Sequence, residues 1–226
     1  MNSDPPATLA RKRLFIVDDH PLVREGLTNL INRQDDLTVC GEAKDSAEAI
    51  DGISQQRPDM AIIDISLTNE SGLELIKHIT KRFPEVAVIV LSMHDEALYA
   101  ERALRAGARG YVMKHETSKS VLSSIRRVMG GDIYVSERIA NRTALRITSA
   151  RRVAATSPVE RLSDRELEIF QLLGQGRTPS EIARDLNLSL KTVQAYCARA
   201  KEKFGVTSLT ELLRAAIKWD DASHVK

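Results

Sequence analysis

The stretch Leu14-Phe15-Ile16-Val17-Asp18-Asp19 decides the fold, because a short apolar run leads directly into two carboxylates. Three further apolar runs each lead into one polar residue. These runs are residues 60–63, 86–91 and 111–113, and the polar residues are Asp64, Ser92 and Lys114. Such runs are too short for buried helices and suit strands covered on both faces of a parallel sheet. Because ligands bind beyond the carboxyl ends of such strands, the pattern predicts that all these polar groups share one site.

The predicted site has the chemistry of a divalent metal and a phosphoryl group. Clustered carboxylates need a compensating cation, and Mg²⁺ suits a site with few carboxylates and several waters. The backbone carbonyl of Ser66 is placed to complete the protein ligands of the metal. An aspartate beside the metal can attack a phosphoryl donor. Lys114 would pair with the phosphoryl oxygens, and Ser92 would donate a hydrogen bond to one of them.

The alternation of strands and helices predicts an α/β flavodoxin-like domain with five parallel strands and five helices. A helix begins at Pro21, a strand covers residues 37–43, and the third strand covers 60–65. The remaining helices of this domain are predicted at residues 46–56, 72–83, 96–106 and 118–129. No strand pattern follows residue 162, and an all-α domain of four helices is predicted. These helices cover residues 163–173, 179–186, 190–204 and 209–219.

Domain boundaries follow from these patterns. Residues 1–12 are predicted to be disordered, and residues 13–131 to form the α/β domain. Residues 132–160 read as a linker whose first half could be a short helix. The helical domain is placed at residues 161–220, and residues 221–226 form a tail.

Composition points to a cytoplasmic protein. No apolar stretch approaches the ~18–20 residues that cross a bilayer, and the amino terminus lacks the blocks of a signal peptide. Cys40 and Cys197 have no metal-ligand spacing and indicate neither a zinc site nor a disulfide framework. Residues 1–136 hold 17 Lys and Arg against 20 Asp and Glu, whereas residues 137–226 hold 16 against 11. A basic second half is compatible with binding to a polyanion.

Residues 13–130 resemble the receiver domain of bacterial two-component response regulators of the NarL/FixJ subfamily. The resemblance rests on Asp18-Asp19-His20-Pro21, on Gly107-Ala108-Arg109-Gly110-Tyr111 and on the polar residues that follow the strands. The implied roles are Asp64 as phospho-acceptor, Asp19 as Mg²⁺ ligand, Asp18 as supporting acid, Ser92 and Tyr111 as switch residues, and Lys114 as the invariant lysine. The resemblance also implies that an unphosphorylated receiver masks the recognition helix of its DNA-binding domain.

Residues 162–217 resemble a LuxR-type helix-turn-helix domain. The resemblance rests on Leu162-Ser163-Asp164-Arg165-Glu166-Leu167-Glu168-Ile169, on Ser189-Leu190-Lys191-Thr192-Val193 and on Phe204-Gly205-Val206. It implies phosphate contacts from Lys191, Thr192, Arg199 and Lys203, and base contacts from Gln194 and Ala195. A glutamine can bond to adenine, and an alanine methyl can contact the methyl group of thymine. The last helix commonly pairs two such domains.

Both resemblances together predict a phosphorylation-dependent transcriptional regulator rather than an enzyme. Its expected partners are a sensor histidine kinase, double-stranded promoter DNA and a second copy of itself when phosphorylated. One alternative is a phosphohydrolase of the haloacid dehalogenase type, but such enzymes need an aspartate where Ser66 stands. Another alternative is a receiver that works without phosphorylation or through protein–protein contacts.

Overall fold

The computed structural model describes residues 11–67, 71–141 and 157–224. Part of the predicted disordered amino terminus, most of the predicted linker and the last residues of the tail lie outside these ranges. Within the linker, residues 137–141 are helical. Among the described helices, none combines the length and apolar character that crossing a bilayer requires.

The first domain is built on a five-stranded parallel sheet in the order β2-β1-β3-β4-β5. Its strands are β1 (Lys12–Val17), β2 (Leu37–Ala43), β3 (Met60–Ile63), β4 (Ala87–Ser92) and β5 (Gly110–Met113). This order confirms the flavodoxin-like prediction. The third strand is two residues shorter than predicted, because backbone pairing with its neighbours ends at Ile63.

Five helices cover both faces of the sheet. They are α1 (Pro21–Asn32), α2 (Ser46–Gln56), α3 (Gly72–Arg82), α4 (Glu96–Ala106) and α5 (Ser118–Met129). In β1, Leu14 and Ile16 pack in a cluster with residues of α1 and α5. Phe15 and Val17 belong to the cluster that contains residues of α2, α3 and α4. The alternation follows from the two-residue period of a strand, and it explains why the strands are apolar throughout.

Gly72, the first residue of α3, lies against the segment that follows β3. A Cβ atom at this position would lie 2.3 Å from the carbonyl oxygen of Asp64 and 2.6 Å from the Cα of Ile65. The backbone N–H of Gly72 donates a hydrogen bond to the carbonyl of Ile65 at 3.0 Å. Only a glycine permits this approach, which presses the start of α3 against the loop that carries Asp64.

The second domain contains a 3₁₀ turn (Pro158–Arg161) and four helices. These are α6 (Asp164–Gly174), α7 (Pro179–Asp185), α8 (Leu190–Phe204) and α9 (Leu209–His224). Capping boxes at Ser163 and Thr178, each with a glutamate three residues later, start α6 and α7. The last helix continues past its predicted end at Trp219. A stacked pair, Phe170 and Phe204 with ring centroids 4.7 Å apart, joins α6 to α8.

We predict that Gly72→Ala destabilises the protein by about 1–3 kcal/mol, because the new methyl group has no room and the backbone must shift. Gly26→Ala in α1 is the matched control, since a Cβ at Gly26 meets nothing within 4 Å. This control should stabilise the protein by about 0.5–1 kcal/mol. Urea unfolding measures both changes, and a neutral Gly72→Ala would contradict the proposed role of the contact.

Candidate functional site

A partly buried ammonium group lies at the centre of the polar site. The Lys114 Nζ atom is 2.7 Å from Oδ2 of Asp18 and 2.7 Å from Oδ2 of Asp64. Both aspartates are 2% exposed, and they follow the central neighbouring strands β1 and β3. Because Lys114 follows β5, one cation joins the ends of three strands. Three of the residues predicted from the sequence are therefore brought together.

An acidic cluster occupies the same edge of the sheet. Asp18, Asp19, His20 and Asp64 each offer one ligand atom, and these atoms all lie within 4.8 Å of one another. The Oδ1 atom of Asp64 is buried and has no hydrogen-bond partner among the described residues. A buried carboxylate oxygen without a partner is costly, and a bound cation would satisfy it. The donor set therefore fits a divalent metal ion.

Lys114 keeps its positive charge despite its burial. Burial by itself lowers the pKa of Lys114, but the charge of Asp64 and the hydrogen bonds to Asp18 and Asp64 more than offset this effect. The net result is a raised pKa. The pocket thus combines a fixed cation with carboxylates, which is the electrostatic arrangement that an anionic phosphoryl group requires.

The two predicted switch residues lie next to the acidic cluster. Ser92 is fully buried, and its Oγ accepts a hydrogen bond from the backbone N–H of His94 at 3.2 Å. The hydroxyl of Tyr111 donates to the backbone carbonyl of His94 at 2.7 Å, so the ring points into the protein. Burial raises the pKa of Tyr111 and keeps its hydroxyl protonated. Both side chains therefore contact the segment between β4 and α4.

His94 links this segment to the acceptor loop. Its Nε2 lies 2.9 Å from Oγ of Ser66, and its ring stacks on Tyr99 with centroids 4.6 Å apart. Burial lowers the pKa of His94, partly countered by the charge of Asp64. The structure shows the side-chain contact of Ser66, whereas the metal-binding role of its carbonyl stays a prediction.

On the second domain, the predicted DNA-contacting residues lie along α8. Lys191, Gln194 and Ala195 are exposed, and their spacing places them on one helical face. Thr192 is partly buried and interacts with Ser189 at the start of the helix, with 2.7 Å between their hydroxyl oxygens. Gln194 and Ala195 are exposed to solvent, and masking of the recognition helix from a DNA duplex stays a prediction.

Arg199 and Lys203 are held by a carboxylate within their own domain. Glu166 is 3% exposed and accepts a hydrogen bond from Arg199 Nε at 3.2 Å and another from Lys203 Nζ. Burial alone would raise the pKa of Glu166, but the hydrogen bonds from Lys203 and Ser163 lower it. Arg199 remains half exposed, and its guanidinium lies 4.4 Å from the ring centroid of Tyr196.

The two domains contact each other through α6 and the preceding 3₁₀ turn. Asp164 is 2.9 Å from Arg102 of α4 and 3.2 Å from Lys77 of α3. The hydroxyl of Tyr99 donates to Oε1 of Gln171 at 2.6 Å. Because these contacts use α6 rather than α8, they leave the face of α8 exposed.

Several residues of these sites were not found from the sequence. Glu166 and Gln171 bind residues far along the chain, and no local pattern encodes these contacts. His20 joins the acidic cluster, with Nδ1 2.7 Å from Asp19 Oδ1. Its place directly after two aspartates is a signal that could have identified it.

Comparison with family models gives two matches. Residues 14–126 match the response regulator receiver domain, and residues 160–216 match the bacterial regulatory proteins of the luxR family. Oxygen regulatory protein NreC of Staphylococcus carnosus (strain TM300) is 35% identical over 210 residues, which cover 91% of this chain and 97% of that protein. NreC of Staphylococcus haemolyticus (strain JCSC1435) is 33% identical, and the match again covers 91% of this chain and 97% of that protein.

Solved structures of response regulators also match this chain. The RcsB response regulator of Salmonella typhimurium has a TM-score of 0.67 and 26% identity, covering 92% of this chain and 98% of its own. RcsB bound to promoter rprA with the phosphomimetic BeF₃⁻ has a TM-score of 0.62 and 26% identity. The match covers 90% of this chain and 97% of the RcsB chain. A LuxR-family two-component response regulator from Aurantimonas has a TM-score of 0.57 and 32% identity. The match covers 62% of this chain and 99% of the Aurantimonas chain.

We predict that Glu166→Gln destabilises the second domain by about 1–3 kcal/mol at neutral pH, because charged hydrogen bonds to Arg199 and Lys203 are lost. The folded pKa of Glu166 lies below its ordinary value of 4.5. Its contribution is therefore present above pH 4.5 and lost as the pH falls through the folded pKa. The difference between variant and wild type should shrink in acid.

The fluorescence of Trp219, the single tryptophan, reports unfolding of this domain because its ring centroid lies 6.0 Å from that of Phe170. Glu202→Gln is the matched control, since Glu202 is an exposed glutamate of α8. A difference for Glu166→Gln that stays constant from pH 7 to below pH 4.5 would contradict this assignment.

Proposed function

This chain belongs to the two-component response regulators that join a receiver domain to a LuxR-type DNA-binding domain, and we propose that Asp64 is its phospho-acceptor. Members of this family regulate transcription, so the protein is a DNA-binding response regulator. The proposed receiver covers residues 13–131, and the proposed DNA-binding domain covers residues 161–220. The observation that carries the proposal is the ammonium of Lys114, held between the carboxylates of Asp18 and Asp64.

Phosphoryl transfer to Asp64 follows from this arrangement. A carboxylate oxygen of Asp64 forms a bond to the phosphorus of the donor, and the bond between phosphorus and the donor atom breaks. The donor is a phosphohistidine of a sensor kinase or a small acyl phosphate. Transfer of this kind depends mainly on positioning and charge neutralisation. Lys114 stabilises the negative charge that arrives on the phosphoryl oxygens.

The proposed metal is Mg²⁺. Asp19, Asp64 and the backbone carbonyl of Ser66 would hold it, with Asp18 as the supporting acid. The Oδ1 atom of Asp64 is buried and has no hydrogen-bond partner in the part of the chain that the structure describes, which supports this assignment. When bound, Mg²⁺ neutralises the negative charge shared by the carboxylates and the phosphoryl group.

Ser92 and Tyr111 are the proposed switch residues. The Ser92 hydroxyl lies beside the acceptor pocket and would donate a hydrogen bond to a phosphoryl oxygen. Its oxygen also accepts the hydrogen bond from the N–H of His94, so the donated bond would connect the phosphoryl group to this segment. Because Tyr111 also binds the backbone of His94, both residues act on the segment that leads into α4.

The proposed DNA reader is α8, whose exposed face enters the major groove. Lys191, Thr192, Arg199 and Lys203 would contact phosphates, whereas Gln194 and Ala195 would contact bases. Homodimerisation is assigned to α9, in which Leu209 and Ile217 are 41% and 40% exposed two turns apart. Exposed apolar residues at this spacing suit a second copy of the same helix.

The protein is proposed to act in the cytoplasm, where both the DNA and the phosphodonor are present. It is proposed to be a regulator and not an enzyme. The phosphoryl group ends on a residue of the protein itself. The exposed face of α8 supports a second candidate function, in which DNA binding does not depend on phosphorylation. An effect of a phosphoryl mimic on DNA binding separates the two candidates.

We predict that acetyl phosphate and Mg²⁺ label the wild type and leave Asp64→Ala and Asp64→Asn unlabelled, as measured by intact mass. Asp132→Asn is the control, because Asp132 is an exposed carboxylate outside the pocket. A pool of random DNA duplexes then measures selective binding. Beryllofluoride should strengthen selection about tenfold in the wild type alone, within the usual range of allosteric coupling. Labelling of Asp64→Ala at the wild-type rate would rule out the acceptor assignment.

We predict different effects from two substitutions in α8. Lys191→Ala should weaken binding to all sequences and lower the salt slope by about 0.9, since one phosphate contact is lost. Gln194→Ala should leave this slope unchanged and remove about 1–3 kcal/mol of preference for one base. Titrations at several salt concentrations measure both effects. Equal losses of specificity in the two variants would contradict these roles.

A further inference from the structure

A buried glutamate connects α6 to the cationic side chains near the end of α8. Glu166 is 3% exposed, and its two carboxylate oxygens accept hydrogen bonds from Arg199 Nε and Lys203 Nζ. The side chains of Arg199 and Lys203 are 50% and 33% exposed. The carboxylate therefore lies on the inner side of both cations. With one anion and two cations, this group of three residues keeps a net positive charge.

The contact with Glu166 leaves the phosphate-binding part of Arg199 available. It uses Nε, the inner nitrogen of the guanidinium, at 3.2 Å. The terminal nitrogens carry the remaining N–H donors, and their fork matches the oxygens of a phosphate. The guanidinium carbon lies 4.4 Å from the ring centroid of Tyr196. Glu166 thus restrains the Nε edge of the guanidinium, and Tyr196 covers one of its faces.

We propose that Glu166 is a positioning residue for DNA binding, which holds the guanidinium of Arg199 ready to bind a phosphate of the duplex. The inference rests on the proposed role of α8 as the DNA reader. It deepens that role, because it assigns a buried acidic residue of another helix a part in binding a polyanion. Glu166 itself does not contact the DNA.

Arg199 belongs to the same row of side chains as other residues proposed to contact DNA. Lys191, Ala195 and Arg199 follow one another at intervals of four positions, so they are neighbours along one side of α8. The helix rises about 12 Å from Lys191 to Arg199. The row therefore places one cation on each side of Ala195, a proposed base contact. A phosphate contact from Arg199 would fix the end of α8 opposite Lys191.

Charge and side-chain ordering predict opposite effects of Glu166 on DNA binding. A carboxylate repels phosphates, so charge alone predicts stronger binding without it. An arginine loses rotamer freedom when it is fixed on DNA, and a side chain that is already held loses less. We expect ordering to dominate, because Glu166 lies behind the two cations and salt screens its repulsion of the DNA.

The experiment measures the affinity of the full-length protein for a labelled random-sequence duplex by fluorescence anisotropy, at physiological ionic strength. A random sequence is suitable because phosphate contacts supply most of non-specific binding. Glu166→Gln should weaken binding about fivefold, the effect of one long side chain that must be ordered on binding. Glu202→Gln is the matched control, since Glu202 is an exposed glutamate of α8. The control should bind at least as tightly as wild type, because it only removes a negative charge.

Two further variants separate positioning from charge and from a general loss of structure. Glu166→Asp keeps the charge but withdraws the carboxylate, and it should also weaken binding about fivefold. In an Arg199→Ala background, Glu166→Gln should change the affinity less than about twofold, because the positioned side chain is absent. A purely structural role of Glu166 would give the same loss in both backgrounds. Trp219 fluorescence shows whether each variant is folded at the assay temperature.

Each outcome decides a separate point. Wild-type or stronger binding by folded Glu166→Gln and Glu166→Asp would overturn the inference. Equal losses in the wild-type and Arg199→Ala backgrounds would overturn it as well. Lys191→Ala tests the role of α8 independently, at the other end of the helix. If this variant binds less tightly while Arg199→Ala binds like wild type, the inference fails and the role of α8 stands. If wild type does not bind the duplex, the proposed function itself is wrong.

Discussion

The structure depends on one cation at the carboxyl edge of the sheet. Lys114 at the end of β5 compensates Asp18 and Asp64 at the ends of β1 and β3. Without it, two carboxylates that are almost fully buried would lose the positive charge that compensates them, which is strongly destabilising. The same cation draws phosphoryl oxygens towards Asp64. Stability of the strand ends and reactivity of the pocket therefore rest on the same interaction.

From this pocket, contacts spread in two directions. On one side, Gly72 packs against the backbone of the loop after Asp64, and this contact leaves no room for a side chain. On the other side, Ser66 binds His94, His94 stacks on Tyr99, and Tyr99 binds Gln171 of the second domain. These contacts connect the loop after Asp64 to the domain interface.

The second domain separates its tasks among its helices. α6 and the 3₁₀ turn before it provide the contacts with the receiver, α8 exposes the face proposed for DNA, and α9 exposes apolar residues suited to a second copy. Arg199 and Lys203 serve the domain itself by neutralising Glu166.

By itself, the sequence determined the sheet, nearly all helix positions and the polar residues after the strands. These features depend on local periodicity, capping residues and strand ends, which are determined by residues close together in the sequence. The ends of β3 and α9 departed from prediction because pairing and packing with other elements decide where they stop. Only the tertiary structure decided that Lys114 bridges Asp18 and Asp64, that Glu166 binds Arg199 and Lys203, and that α6 docks on α4. Those contacts join residues 33 to 96 positions apart, and their geometry exists only once the elements have packed.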